Sequence, residues 1–96
     1  SKYLIFSGIG NPSDFKDILL ENKFDVRKEL IFSDHYVYSL DDFEKIIINA
    51  KNENLKILTT EKDYMKIPEE FKKEIDFIAI DLIIQNEEKF IELLNN

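Results

Sequence analysis

Apolar positions along the chain fall into short blocks separated by polar clusters, and the blocks alternate between strand-like and helix-like spacing. Tyr3-Leu4-Ile5-Phe6 is a continuous apolar run, as suits a strand buried on both faces, and Gly8-Ile9-Gly10 ends it. Asn11 then caps a helix with Pro12 at its first position, where a missing N–H costs nothing. Phe15, Ile18 and Leu19 give that helix an apolar stripe that runs out at Asn22. A second strand, about Val26 to Phe32, carries Arg27, Lys28 and Glu29 before it turns apolar at Leu30, so its beginning is expected near an exposed edge. It ends at Ser33-Asp34-His35. Ser39 followed by Asp42 matches the capping-box pattern, and Phe43, Ile46, Ile47 and Ala50 recur behind it at helical spacing.

The third strand, Lys56 to Thr59, stops at Thr60-Glu61-Lys62-Asp63, a polar cluster that opens a short helical turn through Tyr64 and Met65. Pro68 starts another short helix, to about Ile75. A fourth strand from Phe77 to about Asp81 and a final helix from about Asn86 to Leu94, with Phe90, Leu93 and Leu94 inward, complete the pattern. Repeated strand-then-helix units predict an α/β lobe: a small, mostly parallel sheet of about four strands with helices on both faces.

Size and composition narrow the possibilities. A chain of 96 residues has room for one core, and 44% apolar with 34% charged residues argues for a folded domain rather than disorder. A net charge of -7 and a pI near 4.7 make a nucleic-acid partner improbable, since phosphate backbones are held by clustered Lys and Arg. There is no cysteine, so disulfides and thiolate metal sites are excluded, and a cytoplasmic address is expected. No apolar run approaches the roughly 20 residues of a spanning helix, and the opening Ser1 to Ser7 reads as a strand, not a leader.

Three polar segments each follow a predicted strand, and in a parallel sheet such ends share one edge, where ligands of open α/β sheets bind. In the first, Gly8 and Gly10 allow close backbone approach to a ligand, and the helix start after Asn11 offers free N–H groups to an anion. A tight strand-to-helix turn explains the same residues; Ser13 stands where G-x-G-x-x-G needs its third glycine, and no P-loop Lys-Ser/Thr pair is present. The second holds His35, the single histidine, beside Asp34; an imidazole can take or relay a proton near neutral pH, though a loop histidine is also an ordinary surface residue. A zinc site lacks the further His and Cys ligands it needs, and no metal ligands are assigned. In the third, Glu61, Lys62 and Asp63 set a cation and two carboxylates at the mouth of the sheet for a phosphate or a metal ion, or simply form a helix start with favourable acids. Tyr36, Tyr38 and Tyr64 flank these loops as partly buried walls.

Taken together and in order, Gly8-Ile9-Gly10-Asn11-Pro12, Phe32-Ser33-Asp34-His35 with Tyr38-Ser39, and Thr59-Thr60-Glu61-Lys62-Asp63 resemble the C-terminal region of the tetraacyldisaccharide 4'-kinases. The resemblance spans most of the chain. It implies that residues 1–96 are the C-terminal α/β lobe of a larger P-loop kinase, which moves the γ-phosphoryl group of ATP to the 4' hydroxyl of a tetraacyldisaccharide 1-phosphate in lipid A synthesis. ATP and Mg²⁺ would then be held mainly by an N-terminal lobe outside this chain, and the partners would be that lobe and the lipid A precursor. Membrane contact, at the cytoplasmic side of the inner membrane of a Gram-negative bacterium, would come only through the full-length protein. The resemblance gives His35 a role beside an aspartate of the N-terminal lobe that activates the sugar hydroxyl, with Asp34 positioning the loop. Gly8, Gly10, Asn11, Glu61, Lys62 and Asp63 become candidates for a substrate or nucleotide loop. Ser33 and Tyr36 depart from the family pattern, which often has proline or alanine at the first position and histidine or glutamine at the second.

Two other functions remain open at this level. A Rossmann-type module would use Gly8 and Gly10 against a pyrophosphate and Asp34 on a ribose, but it lacks the third glycine. A non-catalytic α/β interaction domain would use the three loops only as turns. On the kinase reading the 96-residue chain folds but is inactive alone, having no P-loop lysine and no Mg²⁺ site.

Overall fold

The computed structural model describes residues 1–8 and 12–79. The expected final helix, the end of the expected fourth strand, Ile9, Gly10 and the proposed cap Asn11 lie outside the described residues. In chain order the elements are β1 (Lys2–Ser7), α1 (Pro12–Glu21), β2 (Asp25–Ile31), α2 (Leu40–Asn52), β3 (Lys56–Thr60), α3 (Glu61–Tyr64), α4 (Glu69–Lys72) and β4 (Ile75–Ile78). The four strands form one sheet in the order β2-β1-β3-β4, and every neighbouring pair is parallel.

Strand alternation sends β1 side chains to two separate cores. Leu4 and Phe6, with Ile57 of β3 and Ile75 of β4, pack against Phe43, Ile46, Ile47 and Ala50 of α2. Ile5, with Leu58 and Ile78, packs against Phe15 and Leu19 of α1 on the other face. Helices therefore cover both faces, as the alternating pattern predicts, and central strand β1 needs the unbroken apolar run it has. β2 is an edge strand with a half-buried, mixed pattern, in keeping with its early charges. Its pairing slips between Tyr3 and Leu4, so that Arg27 is passed over and its guanidinium turns back to Asp25, at 2.7 and 3.0 Å.

Helix α2 begins at a complete capping box: Ser39 Oγ accepts from the Asp42 N–H at 3.1 Å, and the Asp42 carboxylate accepts from the Ser39 N–H at 2.8 Å. Such a cap contributes about 1 kcal/mol. Both long helices stop in the same way. Lys23 and Asn54 take left-handed backbone angles, φ 67° and 58°, while Phe24 N–H reaches back to Leu19 O and Leu55 N–H to Ala50 O.

One boundary differs from the sequence pattern. A helix to about Ile75 and a strand from Phe77 are expected, but α4 ends at Lys72 and β4 already begins at Ile75, which pairs with Ile57. Phe71 and Ile75 stand four apart, so helical spacing persists in the sequence after the helix has ended; the hydrogen-bonding edge of β3 captures the segment instead. Among the described residues no helix is long and apolar enough to cross a membrane.

Candidate functional site

The order β2-β1-β3-β4 reverses direction between β1 and β3: the chain leaves β1 toward β2 on one side and leaves β3 toward β4 on the other. At such a switch point the loops diverge and open a crevice at the carboxyl ends of the strands. Gly8 follows β1 there, and Thr60 to Asp63 follows β3. The segment after β2 joins them, because Phe32 N–H bonds Ser7 O at 2.9 Å and Ser33 O lies 3.3 Å from where a Gly8 Cβ would stand. Gly8, the segment after β2 and the end of β3 thus meet on one edge, as expected from their places in the sequence, with Ile9, Gly10 and Asn11 outside the described residues.

Asp63 is the centre of this meeting, and it is wholly buried. Its carboxylate accepts from Gly8 N–H at 3.1 and 3.2 Å, from Tyr38 Oη–H at 3.0 Å and from Thr60 Oγ1–H at 2.6 Å. Thr60 is also the cap of α3, its Oγ1 accepting from the Asp63 N–H at 3.0 Å. A buried carboxylate persists only when its lone pairs are filled, and here each of three chain segments supplies a donor. Asp63 therefore does not stand at the mouth of the sheet beside Glu61 and Lys62, which are exposed. Those two remain at the edge as an acid and a cation on the first turn of α3.

Gly8 is needed for a different reason from the one its sequence suggests. Among the described residues no glycine has a positive φ. A Cβ on Gly8 would lie 3.2 Å from Tyr38 Oη, 3.3 Å from Asp63 Oδ1 and 3.3 Å from Ser33 O, so the position is defined by close packing of the three segments. Its N–H is spent on Asp63 and is not turned to a ligand. Gly8→Ala is expected to destabilise the fold by about 1–3 kcal/mol through overpacking, measured as the shift in a urea unfolding midpoint; an unshifted midpoint would show that the junction yields freely.

Tyr38 stands among Phe6, Phe32, Tyr36 and Phe43, with ring centroids 5.8, 5.0, 5.2 and 5.1 Å away. Burial, and then the neighbouring Asp63 carboxylate, push its hydroxyl far above the ordinary tyrosine range, so it stays a neutral donor. Tyr36 donates to Asp42 Oδ2 at 2.8 Å, and that hydrogen bond holds its hydroxyl protonated above the ordinary tyrosine range. Asp42 moves the opposite way, held low by the Ser39 N–H and by Tyr36. Tyr36, Tyr38 and Tyr64 are all partly buried, as walls should be.

Immediately before Tyr36 the chain closes a turn, Tyr36 N–H to Ser33 O at 3.0 Å, that carries Asp34 and His35. His35 takes a left-handed backbone, φ 64°, and its side chain is 80% exposed, so the imidazole faces outward from a fixed backbone. Its Nε2 lies 3.7 Å from the Asp34 carboxylate, which is ion-pair distance but too long for a hydrogen bond. Asp34 and His35 are brought together, but no tight bond orients the ring.

Sequence reasoning passed over the junction of Tyr38 and Thr60 with Asp63. The signal was present, because Thr60-x-x-Asp63 repeats the spacing of Ser39-x-x-Asp42. Among the described residues no three His, Asp or Glu side chains gather to hold a metal ion, and both oxygens of Asp63 are already engaged.

Comparison with known proteins bears on these loops directly. The family model described as tetraacyldisaccharide-1-P 4'-kinase matches residues 1–96, the whole chain. A relative from Pelagibacter ubique, named tetraacyldisaccharide 4'-kinase, is 45% identical over 92 residues, covering 96% of this chain and 29% of its own length. Relatives of the same name from Rickettsia bellii and Brucella ovis are 43% and 30% identical, covering 68% and 84% of this chain and 20% and 26% of their own lengths. The chain thus spans under a third of the curated relatives it matches. No solved structure gave a significant match. With a family model matching from its first residue to its last, the chain belongs to the tetraacyldisaccharide-1-P 4'-kinase family.

Proposed function

We propose that this chain is the C-terminal lobe of a kinase that transfers the γ-phosphoryl group of ATP to the 4' hydroxyl of a tetraacyldisaccharide 1-phosphate. The observation that carries the proposal is the family match over all of residues 1–96, within which Gly8 meets two other motif segments at the switch-point edge. An N-terminal lobe of the same protein would supply the P-loop, ATP and Mg²⁺. The described residues here do not form a metal site, so no step through the metal is assigned to this chain.

In the transfer, the 4' oxygen bonds to the γ phosphorus, the bond to the bridging oxygen of ADP breaks, and the hydroxyl proton passes to a base. Phosphoryl transfer depends on positioning and charge stabilisation more than on covalent chemistry. An exposed imidazole on a strapped turn suits that need: His35 can reach an aspartate of the opposing lobe and fix its orientation when the lobes close on substrate. Glu61 and Lys62 stand exposed on the first turn of α3 at the same edge, and Lys62 is the cation we assign to a phosphate there. With the Gly8 N–H turned to Asp63, the Rossmann-type alternative loses one of its pyrophosphate donors. The site of action we assign is the cytoplasmic side of the inner membrane, reached through the full-length protein.

The test uses the full-length protein with γ-labelled ATP and the tetraacyldisaccharide 1-phosphate in detergent. Labelled 4'-phosphorylated lipid is the expected product, and none is expected from residues 1–96 alone. No transfer by the full-length protein would overturn the kinase assignment; transfer by the 96-residue chain would overturn the division into lobes.

A further inference from the structure

We propose that Tyr38 and Asp63 are positioning residues for His35: the hydrogen bond between them sets where the histidine turn stands relative to the crevice at the switch point. The inference rests on the role proposed for His35 and extends it to two side chains that the proposed chemistry does not itself use.

The ties of the Phe32 to Ser39 segment differ in kind. Phe32 N–H to Ser7 O continues the edge of the sheet, Tyr36 N–H to Ser33 O closes the turn on itself, and Tyr36 Oη–H to Asp42 holds it to the start of the next helix. The first of these reaches β1 and the last reaches α2, but none of the three reaches the end of β3. Tyr38 Oη–H to Asp63 Oδ1 is different, since it crosses to the residues that follow β3 and spans 25 positions of sequence. Asp63 in turn grips the end of β1 through Gly8, 55 positions away. The hydroxyl of Tyr38 thus refers the His35 turn to both central strands at once.

Asp63 is inaccessible to substrate, so any effect on transfer passes through other groups. A buried carboxylate is also a poor device for stability alone, because its desolvation offsets much of what its hydrogen bonds contribute. What the arrangement does supply is geometry. Gly8, Tyr38 and Thr60 must all stand within hydrogen-bond reach of one small group, which ties three segments to a common point. His35 is two and three residues along the chain from the tied points at Ser33 and Tyr38, and its left-handed backbone sets the direction in which its side chain leaves the chain.

Tyr38→Phe in the full-length enzyme isolates the tie. It removes one hydroxyl, leaves the ring among Phe6, Phe32 and Phe43, and leaves Asp63 its donors from Gly8 and Thr60. We expect kcat to fall on the order of tenfold, with KM changed less than about twofold and the melting curve nearly retained. In a His35→Ala background the same substitution should lower kcat no further, because the group it positions is gone. Tyr3→Phe, at the opposite end of β1 from the crevice and edge-on to Phe24, should leave kcat unchanged. The positioning role is overturned if Tyr38→Phe keeps kcat within about twofold of wild type, or if its effect multiplies with that of His35→Ala, which is the behaviour of a residue acting on general stability. A normal kcat for His35→Ala alone would overturn the histidine role itself and this inference with it.

Discussion

Replacing His35 by alanine in the full-length enzyme is expected to lower kcat by on the order of 10² to 10⁴, the range for a group engaged in proton transfer or its alignment. The fold should hardly register the change. The His35 side chain is 80% exposed, and alanine meets the left-handed backbone under nearly the same constraint, so the cost in stability should stay within about 1 kcal/mol. Steady-state transfer to the disaccharide lipid separates two roles. A fall in kcat with little change in KM places the imidazole in the transition state, whereas a rise in KM at constant kcat makes it a binding group only. A normal kcat with an intact melt would remove His35 from the chemistry and leave the lobe as a closing or substrate-binding element.

Asp63→Ala should instead cost stability, on the order of 3 to 5 kcal/mol. It strips the acceptor from the Gly8 N–H and from the hydroxyls of Tyr38 and Thr60, and each buried donor left unpaired costs about 1–3 kcal/mol before relaxation. Asp63→Asn should cost less than the alanine variant. The amide keeps one acceptor oxygen, and a hydroxyl facing its NH₂ can rotate to accept. Urea unfolding of both variants gives the comparison. Equal losses for the two would mean that water enters the junction and satisfies the orphaned donors, contrary to the tight packing around Gly8.

The parts of this fold that could be read from sequence are those governed by local rules. The Tyr3 to Phe6 run, the Phe15, Ile18 and Leu19 stripe, and the Ser39 capping box each follow from neighbours within a few positions, and each stands in the structure where the pattern puts it. The start of β4 could not be read so, because whether Ile75 ends a helix or begins a strand is decided by the edge of β3. Placing three loops on one edge needed only the parallel topology. The inward turn of Asp63 needed more: the Thr60-x-x-Asp63 spacing marks it locally as a cap partner, but the Tyr38 and Gly8 donors that complete its burial lie 25 and 55 positions away. Gly8 was legible as special, but its cause was not, since the structure calls for a missing side chain and not for an unusual φ.

The same long separations bear on the order in which the molecule assembles. Contacts between residues far apart in sequence must wait for the intervening chain to be ordered, and parallel pairings are slow for that reason. The Asp63 junction needs β1, β3 and the turn after β2 all in place before any of its bonds can close. It is therefore among the last native contacts to form. A chain caught short of that step has its helices and much of its sheet, yet carries the His35 turn without its tie to the end of β3.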